Sequence, residues 1–399
     1  MTLSVEKNLT AHRLSSIDAL RGLVMIIMAL DHSREMFHNA AFTGDPVDMS
    51  TTTPALFFTR WITHFCAPVF VFLSGTSIYL QSLRKTKKEL SVFLLKRGLW
   101  LIVVDLVIMS FGITFDVHFG LIILQVIWAM GISMIILAGA IWLPFAVPAT
   151  IGLLIVFGHN ALDFFEKNAS SAPSVFYHLV HRPAMLPISE GHFLGIFYPF
   201  VPWTGVLLTG YAFGKSYTSA AGAEPNAKIT RYIGFGAIFL FIILRYTNVY
   251  GDPLPWSGQK TPVYTFLSFL NTQKYPPSLL YLCMTLGPAL VLLSFLNSLP
   301  RKLTVVMTVY GKVPFFYYIL HFYILHLITA IMFLGRGHSF REGIEGSPSF
   351  PFHFIVPGEG LSLLASYGLW ILVVACLYPL CRWFGRYKQL HTQWWLSYI

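Results

Sequence analysis

A soluble chain of 399 residues would divide into two or three domains. Here 55% hydrophobic residues, only 11% charged ones and a mean hydropathy of +0.65 leave too few charges to clothe a water-facing surface. The same figures exclude a disordered chain, a coiled coil, collagen and a disulfide-stapled scaffold. A formal charge of +10 would suggest nucleic acid in a soluble protein, but the basic residues fall in short gaps between apolar runs, a topology pattern without a nucleic-acid partner.

The fold class expected is therefore all-α, a polytopic membrane protein with about ten transmembrane helices in one bundle. In chain order the apolar runs of roughly spanning length are Ile17 to His38, Ala55 to Gln81, Gly98 to Gly112, Phe119 to Ala138, Phe145 to His159, His192 to Gly214, Tyr232 to Val249, Pro277 to Leu296, Val305 to Leu334 and Leu361 to Trp383. An even number puts both termini on one side. This gives a cytoplasmic N-terminal segment (1–16), a transmembrane domain (17–383) and a cytoplasmic tail (384–399). That orientation gathers the basic clusters at Arg84 to Lys88, Lys96 to Arg97, Arg301 to Lys302 and Arg382 to Lys388 inside. Only the scattered Lys167, Arg182, Lys260, Lys274, Arg336 and Arg341 remain outside, as the positive-inside rule requires of a cell (inner, cytoplasmic) membrane protein.

The first run invites a second reading, because nine uncharged residues between Arg21 and Asp31 match a signal-peptide core. No small-x-small cleavage site follows, and Ile17 to His38 makes about 33 Å of helix, so the segment is kept as a spanning helix. Ionisable groups at such depth are costly and face a polar cavity or one another. This helix carries Asp18, Arg21, Asp31, His32, Arg34, Glu35 and His38. Arg21 and His32 are eleven residues apart, three turns plus about 20°, so both project from nearly one face roughly 16 Å apart. Asp18 and Glu35 share that stripe.

An imidazole in that position is a natural general base. Asp31 diverges from His32 by about 100°, which leaves Glu35, or a carboxylate from another helix, to orient it. The competing reading is a histidine that only locks helix packing. In the ninth run Tyr317 and His321 lie four apart and stack on one side, a donor-site pair or interhelical glue. Arg60 and His64 pair at the same spacing near the outer interface. Tyr198 to Trp203 contains two prolines and should interrupt its helix, as happens where protein lines a cavity. Gly210 and Gly214 make a small-xxx-small packing spacing. The outer connections are long and rich in Pro, Gly, Trp and His, which suits an external binding surface. There Arg245, Asn248, Tyr250, Asp252, Trp256, Lys274 and Tyr275 combine charge, amide and aromatic groups fit for a sugar acceptor, although a rigid aromatic loop has the same composition. No metal motif is present: His178 and His181 are half a ligand shell, and Cys66, Cys283, Cys376 and Cys381 lie in apolar runs as reduced residues.

Ser16 to Leu23 followed by Leu30-Asp31-His32 resembles the first helix of the transmembrane acyltransferase superfamily, where an Arg and a His eleven residues later frame the donor site. His64 to Gly75, Tyr198 to Trp203 with Gly205, Tyr250 to Pro253, Lys274 to Leu280 and Gly311 to His321 are similar to a bacterial membrane family related to heparan-α-glucosaminide N-acetyltransferase. The resemblance implies acyl transfer from cytosolic acetyl-CoA or another acyl-CoA, with no metal, to an amine or hydroxyl of a sugar or glycan at the outer face. It implies a catalytic histidine that is His32 by the superfamily spacing or His38 by the nearer relative, with Asp31 and Glu35 beside it. Arg21, Trp203, Tyr317 and His321 fall toward the acyl donor, and Arg245, Asn248, Tyr250, Asp252, Lys274 and Tyr275 toward the acceptor. A homodimer is left open. The rival class is a proton-coupled transporter or lipid-handling permease using the same polar seam, which inverted repeats would favour.

Overall fold

The computed structural model describes residues 2–40, 44–167, 173–218, 226–345 and 352–398. Helix α1 (Thr2–Phe37) runs without interruption across the boundary expected at residue 16. Helices α2 (Pro54–Thr63) and α3 (Cys66–Ser82) make one apolar span, started by Thr53, whose hydroxyl accepts from the Leu56 amide. A capping box of Thr86 and Glu89 opens α4 (Lys87–Val103), which passes through a π-helical turn, Val104–Met109, into α5 (Ser110–Thr114).

The next apolar stretch departs from expectation. Phe119 to Ala138 is a strand, β1 (Leu121–Leu124), followed by α6 (Val126–Ala140), which is too short to count as a span. Helices α7 (Ala146–Gly158) and α8 (Leu162–Lys167) lead to α9 (Val175–Val180) and the hairpin β2 (Ala184–Ser189) and β3 (His192–Ile196). His192 to Gly214 is likewise strand plus a 15-residue helix, α10 (Phe200–Gly214). The sheet order is β1-β3-β2, with β1 parallel and β2 antiparallel to β3. The chain is thus predominantly helical with a small sheet.

Helices α11 (Ala227–Thr247), α12 (Pro262–Leu270), α13 (Leu279–Phe295) and α14 (Arg301–Gly311) precede α15 (Pro314–Gly335). The expected run Val305 to Leu334 is therefore two helices, divided where Pro314 can only begin a helix. A short α16 (Phe340–Glu345) leads to α17 (Leu363–Leu390), which crosses the boundary expected at residue 384. Among the described residues six helical spans are long and apolar enough to cross a membrane, not ten. They are Pro54–Ser82, Ala146–Glu166, Ala227–Thr247, Leu279–Ser298, Pro314–Gly335 and Leu363–Leu390. Their outward faces carry exposed Ile233, Phe235, Phe239, Ile371 and Leu372, the mark of a multi-pass membrane protein.

Helix α1 sits at the centre, against α2, α3, α14, α15 and α17. It meets α14 so closely that a Cβ on Gly22 would lie 1.7 Å from the Met307 carbonyl oxygen. Helices α3 and α10 make the same kind of contact through Gly75 and Gly210, the latter from the small-xxx-small pair read in the sequence. These backbone-close crossings fix α1 and α3 on two sides of one elongated space.

Candidate active site

The eleven-residue spacing of Arg21 and His32 is realised: α1 is unbroken helix between them, and both line one cavity of about 750 Å³. One end is bounded by Arg84 and Lys85 after α3, Phe93 and Arg97 of α4, Lys312 before α15 and Lys388 of α17. Met25, Met28, Phe70 and Met130 form an apolar middle. The other end holds Asp31, His32, Thr63, Cys66, Tyr198, Tyr318 and Lys274. The space is thus cationic at one end, apolar along its length and polar at the other.

Arg21 is tied down at the crossing of three helices. Its guanidinium donates to Asp18 at 3.0 Å, to the Gly311 carbonyl at 3.4 Å and to the Ser77 hydroxyl at 2.7 Å. Asp18 offsets its charge, so the positive field at that end comes from the surrounding Lys and Arg residues. His32 Nδ1 lies 2.7 Å from His321 Nε2, and His321 Nδ1 lies 3.0 Å from the Tyr317 carbonyl oxygen. The Phe322 ring rests on His32 at 4.0 Å between centroids. Beside them Arg34 donates to Asp31 at 3.1 Å and to Glu35 at 3.2 Å, and Arg60 pairs with Asp31 and, at 3.5 Å, with Glu35. Donor atoms of Asp31, His32 and Glu35 lie within 4.8 Å of one another, but two guanidiniums already neutralise both carboxylates and would repel a cation.

A family model for the catalytic domain of heparan-alpha-glucosaminide N-acetyltransferase matches residues 13–258, more than half of the chain. The chain belongs to this family. No curated protein matches it significantly.

The match to the heparan-alpha-glucosaminide N-acetyltransferase catalytic family contains Arg21, Asp31, His32, Glu35, His38 and Trp203, whereas Lys274, Tyr317 and His321 lie beyond it. The structure nevertheless brings His321 and Lys274 to the His32 end of the cavity. The other expected residues take different positions. Glu35 does not orient His32, because both of its charge partners are arginines and the His32 ring nitrogen is held by His321 instead. His38 sits past the end of α1, where its Nδ1 accepts from the Ala40 amide at 3.3 Å. It borders a separate recess of only about 20 Å³. Trp203 and Tyr317 are fully buried in helix packing, against Tyr198 and Tyr310 respectively, and neither side chain lines the cavity.

The loop residues expected on the acceptor side mostly make contacts within the protein. Arg245 spends its guanidinium on the carbonyls of Phe269, Leu254, Ser268 and Asn271, with Asp252 at 3.6 Å. Asp252 accepts from the Ser278 hydroxyl at 2.7 Å and from the Gln273 and Leu254 amides. Burial pushes its carboxyl above the usual range despite Arg245. Asn248 ends α11 in the left-handed region at φ +52° and exchanges two hydrogen bonds with the Trp256 backbone. The Tyr250 hydroxyl donates to the Phe157 carbonyl at 2.6 Å. The first three hold the loop itself, and Tyr250 ties it to α7. Tyr275 lies between Tyr198 and Lys274. Burial would raise its phenol, but the charges of Lys274 and Arg60 outweigh that and hold it below its usual value. Sequence reasoning missed Ser77 and the cavity position of Tyr318; the helical phase of Ser77, one turn after Ser74, was the available signal.

Proposed function

We propose that this chain is an integral membrane acyltransferase that moves an acyl group from acyl-CoA to an amine or hydroxyl of a sugar or glycan. The observation that carries the reading is the polarity of one cavity along α1, with cations at one end and an imidazole at the other. The CoA phosphates meet Arg84, Lys85, Arg97, Lys312 and Lys388, where cations complement phosphate charge. The pantetheine arm runs past Met25, Met28 and Phe70, and the thioester arrives at His32, roughly 16 Å from Arg21. With the basic end cytosolic, the donor enters from the cytoplasm of a cell membrane and both termini are cytoplasmic. The acceptor comes from the opposite face, met by Lys274 and Tyr275.

In this scheme His32 takes the proton from the acceptor N–H or O–H as its lone pair attacks the acyl carbon. The C–S bond then breaks, and the imidazolium returns the proton to the departing thiolate, leaving acylated acceptor and free CoA. His32 is favoured over His38 because it opens on the cavity. The test is release of free CoA from acetyl-CoA by purified protein, with glucosamine and related amino sugars as acceptors. Acceptor-dependent release should fall about 10²- to 10⁴-fold in His32→Ala and stay within a few-fold of the parent in His38→Ala. The opposite ranking, or no acceptor-dependent release at all, rejects this assignment.

A further inference from the structure

The contacts around His321 fix a direction of hydrogen bonding that reaches back to His32. The Tyr317 carbonyl can only accept, so the His321 Nδ1 that lies 3.0 Å from it must carry the hydrogen. A neutral His321 then has its lone pair on Nε2. That nitrogen is 2.7 Å from His32 Nδ1, so His32 must donate from Nδ1, and its own lone pair sits on Nε2. The backbone of α15 thereby determines the tautomer of an imidazole 289 residues away in the chain. Little in the surroundings allows the pair to reverse. His321 is fully buried, the two ring planes lie within 17° of each other with centroids 5.0 Å apart, and Phe322 packs on His32.

We infer that His321 is a positioning residue, which holds His32 in the Nδ1–H tautomer and keeps Nε2 basic for the acceptor proton. This rests on the reading of His32 as the base and assigns it a partner. It also departs from a Ser-His-Asp arrangement, where a carboxylate on Nδ1 stabilises the imidazolium. Here the partner is a neutral ring, and the carboxylates close by, Asp31 and Glu35, are already compensated by Arg34 and Arg60. Other groups facing the pair are Lys274 from the outer loop and Tyr318 from α15. An imidazolium so placed gains less stabilisation than one facing a carboxylate, and therefore gives its proton to the leaving thiolate more readily.

The test uses full-length protein in the CoA-release assay, with His321→Ala, His321→Gln and His32→Ala. A Gln carbonyl oxygen can stand near the position of His321 Nε2 and accept from His32 Nδ1–H, whereas Ala leaves that hydrogen without a partner. His321→Ala should lower kcat about 10²-fold with the KM for acetyl-CoA within twofold, and His321→Gln should recover at least tenfold of that loss. In ¹⁵N-histidine-labelled protein, the signals absent from His32→Ala should report a neutral Nδ1–H ring. An Nε2–H ring, or His321→Gln no more active than His321→Ala, overturns the positioning role. If His32→Ala is inactive while His321→Ala stays within twofold of the parent, the positioning role fails and the base assignment stands. If His32→Ala itself keeps full activity, the base assignment fails first.

Discussion

The His32 end of the cavity and the loop that follows α11 use the same residue types in opposite ways. Around His32, side chains from α1, α3 and the loop before α13 border open space, and Lys274, Tyr318 and the imidazole line it directly. From Arg245 in the last turn of α11 through the following loop to Ser278, an Arg, an Asn, an Asp and a Tyr turn mostly to backbone groups. Buried or half-buried backbone carbonyls require partners, and a long loop has many without a helix or sheet ladder to satisfy them. Polar composition marks both regions alike. What separates a binding surface from an internal brace is whether the hydrogen-bonding capacity is already spent.

The sharpest way to break this comparison is to remove one basic side chain from each region. Arg245→Met would strip the donor from four carbonyls and leave Asp252 buried without its cation. Losing one partner of such a buried network costs about 3–5 kcal/mol, so yield and thermal stability in detergent should drop steeply. The KM for acceptor in the protein that survives should not change. His32→Ala should do the reverse, with lost turnover and a smaller drop in melting temperature, since it orphans one buried acceptor, His321 Nε2, rather than a whole network. Interchanged outcomes would mean that the loop binds substrate and the cavity end is packing.

That contrast also explains what could be read from the chain beforehand. The phase of Arg21 and His32 was legible because an α-helix repeats locally and needs no tertiary knowledge. The Asp31–Arg60 pairing and the His32–His321 contact were not, since they join residues far apart in sequence. The sheet escaped for a different reason: Leu121–Leu124 and His192–Ile196 adjoin apolar helices without a break in hydropathy, and short apolar runs carry no period that distinguishes strand from helix. The role of the loop residues was hidden because their partners are mostly backbone groups, which every residue supplies and no residue type advertises.

A smaller effect is expected at the cationic end. Arg84 and Lys85 are exposed there, in contrast to the half-buried Arg60 near His32. Arg84→Glu with Lys85→Glu should raise the KM for acyl-CoA about tenfold at low ionic strength, equivalent to ~1.4 kcal/mol, with kcat preserved. High salt should shrink the difference, because exposed charges are screened over about 10 Å at 0.1 M. A salt-independent loss of kcat instead would place the reacting end of the donor at the wrong end of the cavity.

The smallest expected change tests a single loop hydroxyl. Tyr250→Phe removes the hydroxyl that donates to the Phe157 carbonyl, and one hydrogen bond contributes about 0.5–1.5 kcal/mol net. The ring still packs near Phe164 at 6.5 Å between centroids, so the fold should tolerate the change with a melting temperature only slightly lower. Acceptor KM should remain within twofold across a panel of amino sugars. A selective rise in acceptor KM with unchanged stability would mean that the hydroxyl leaves Phe157 when substrate arrives. The loop would then belong with the binding surface, and spent hydrogen-bonding capacity would no longer separate the two regions.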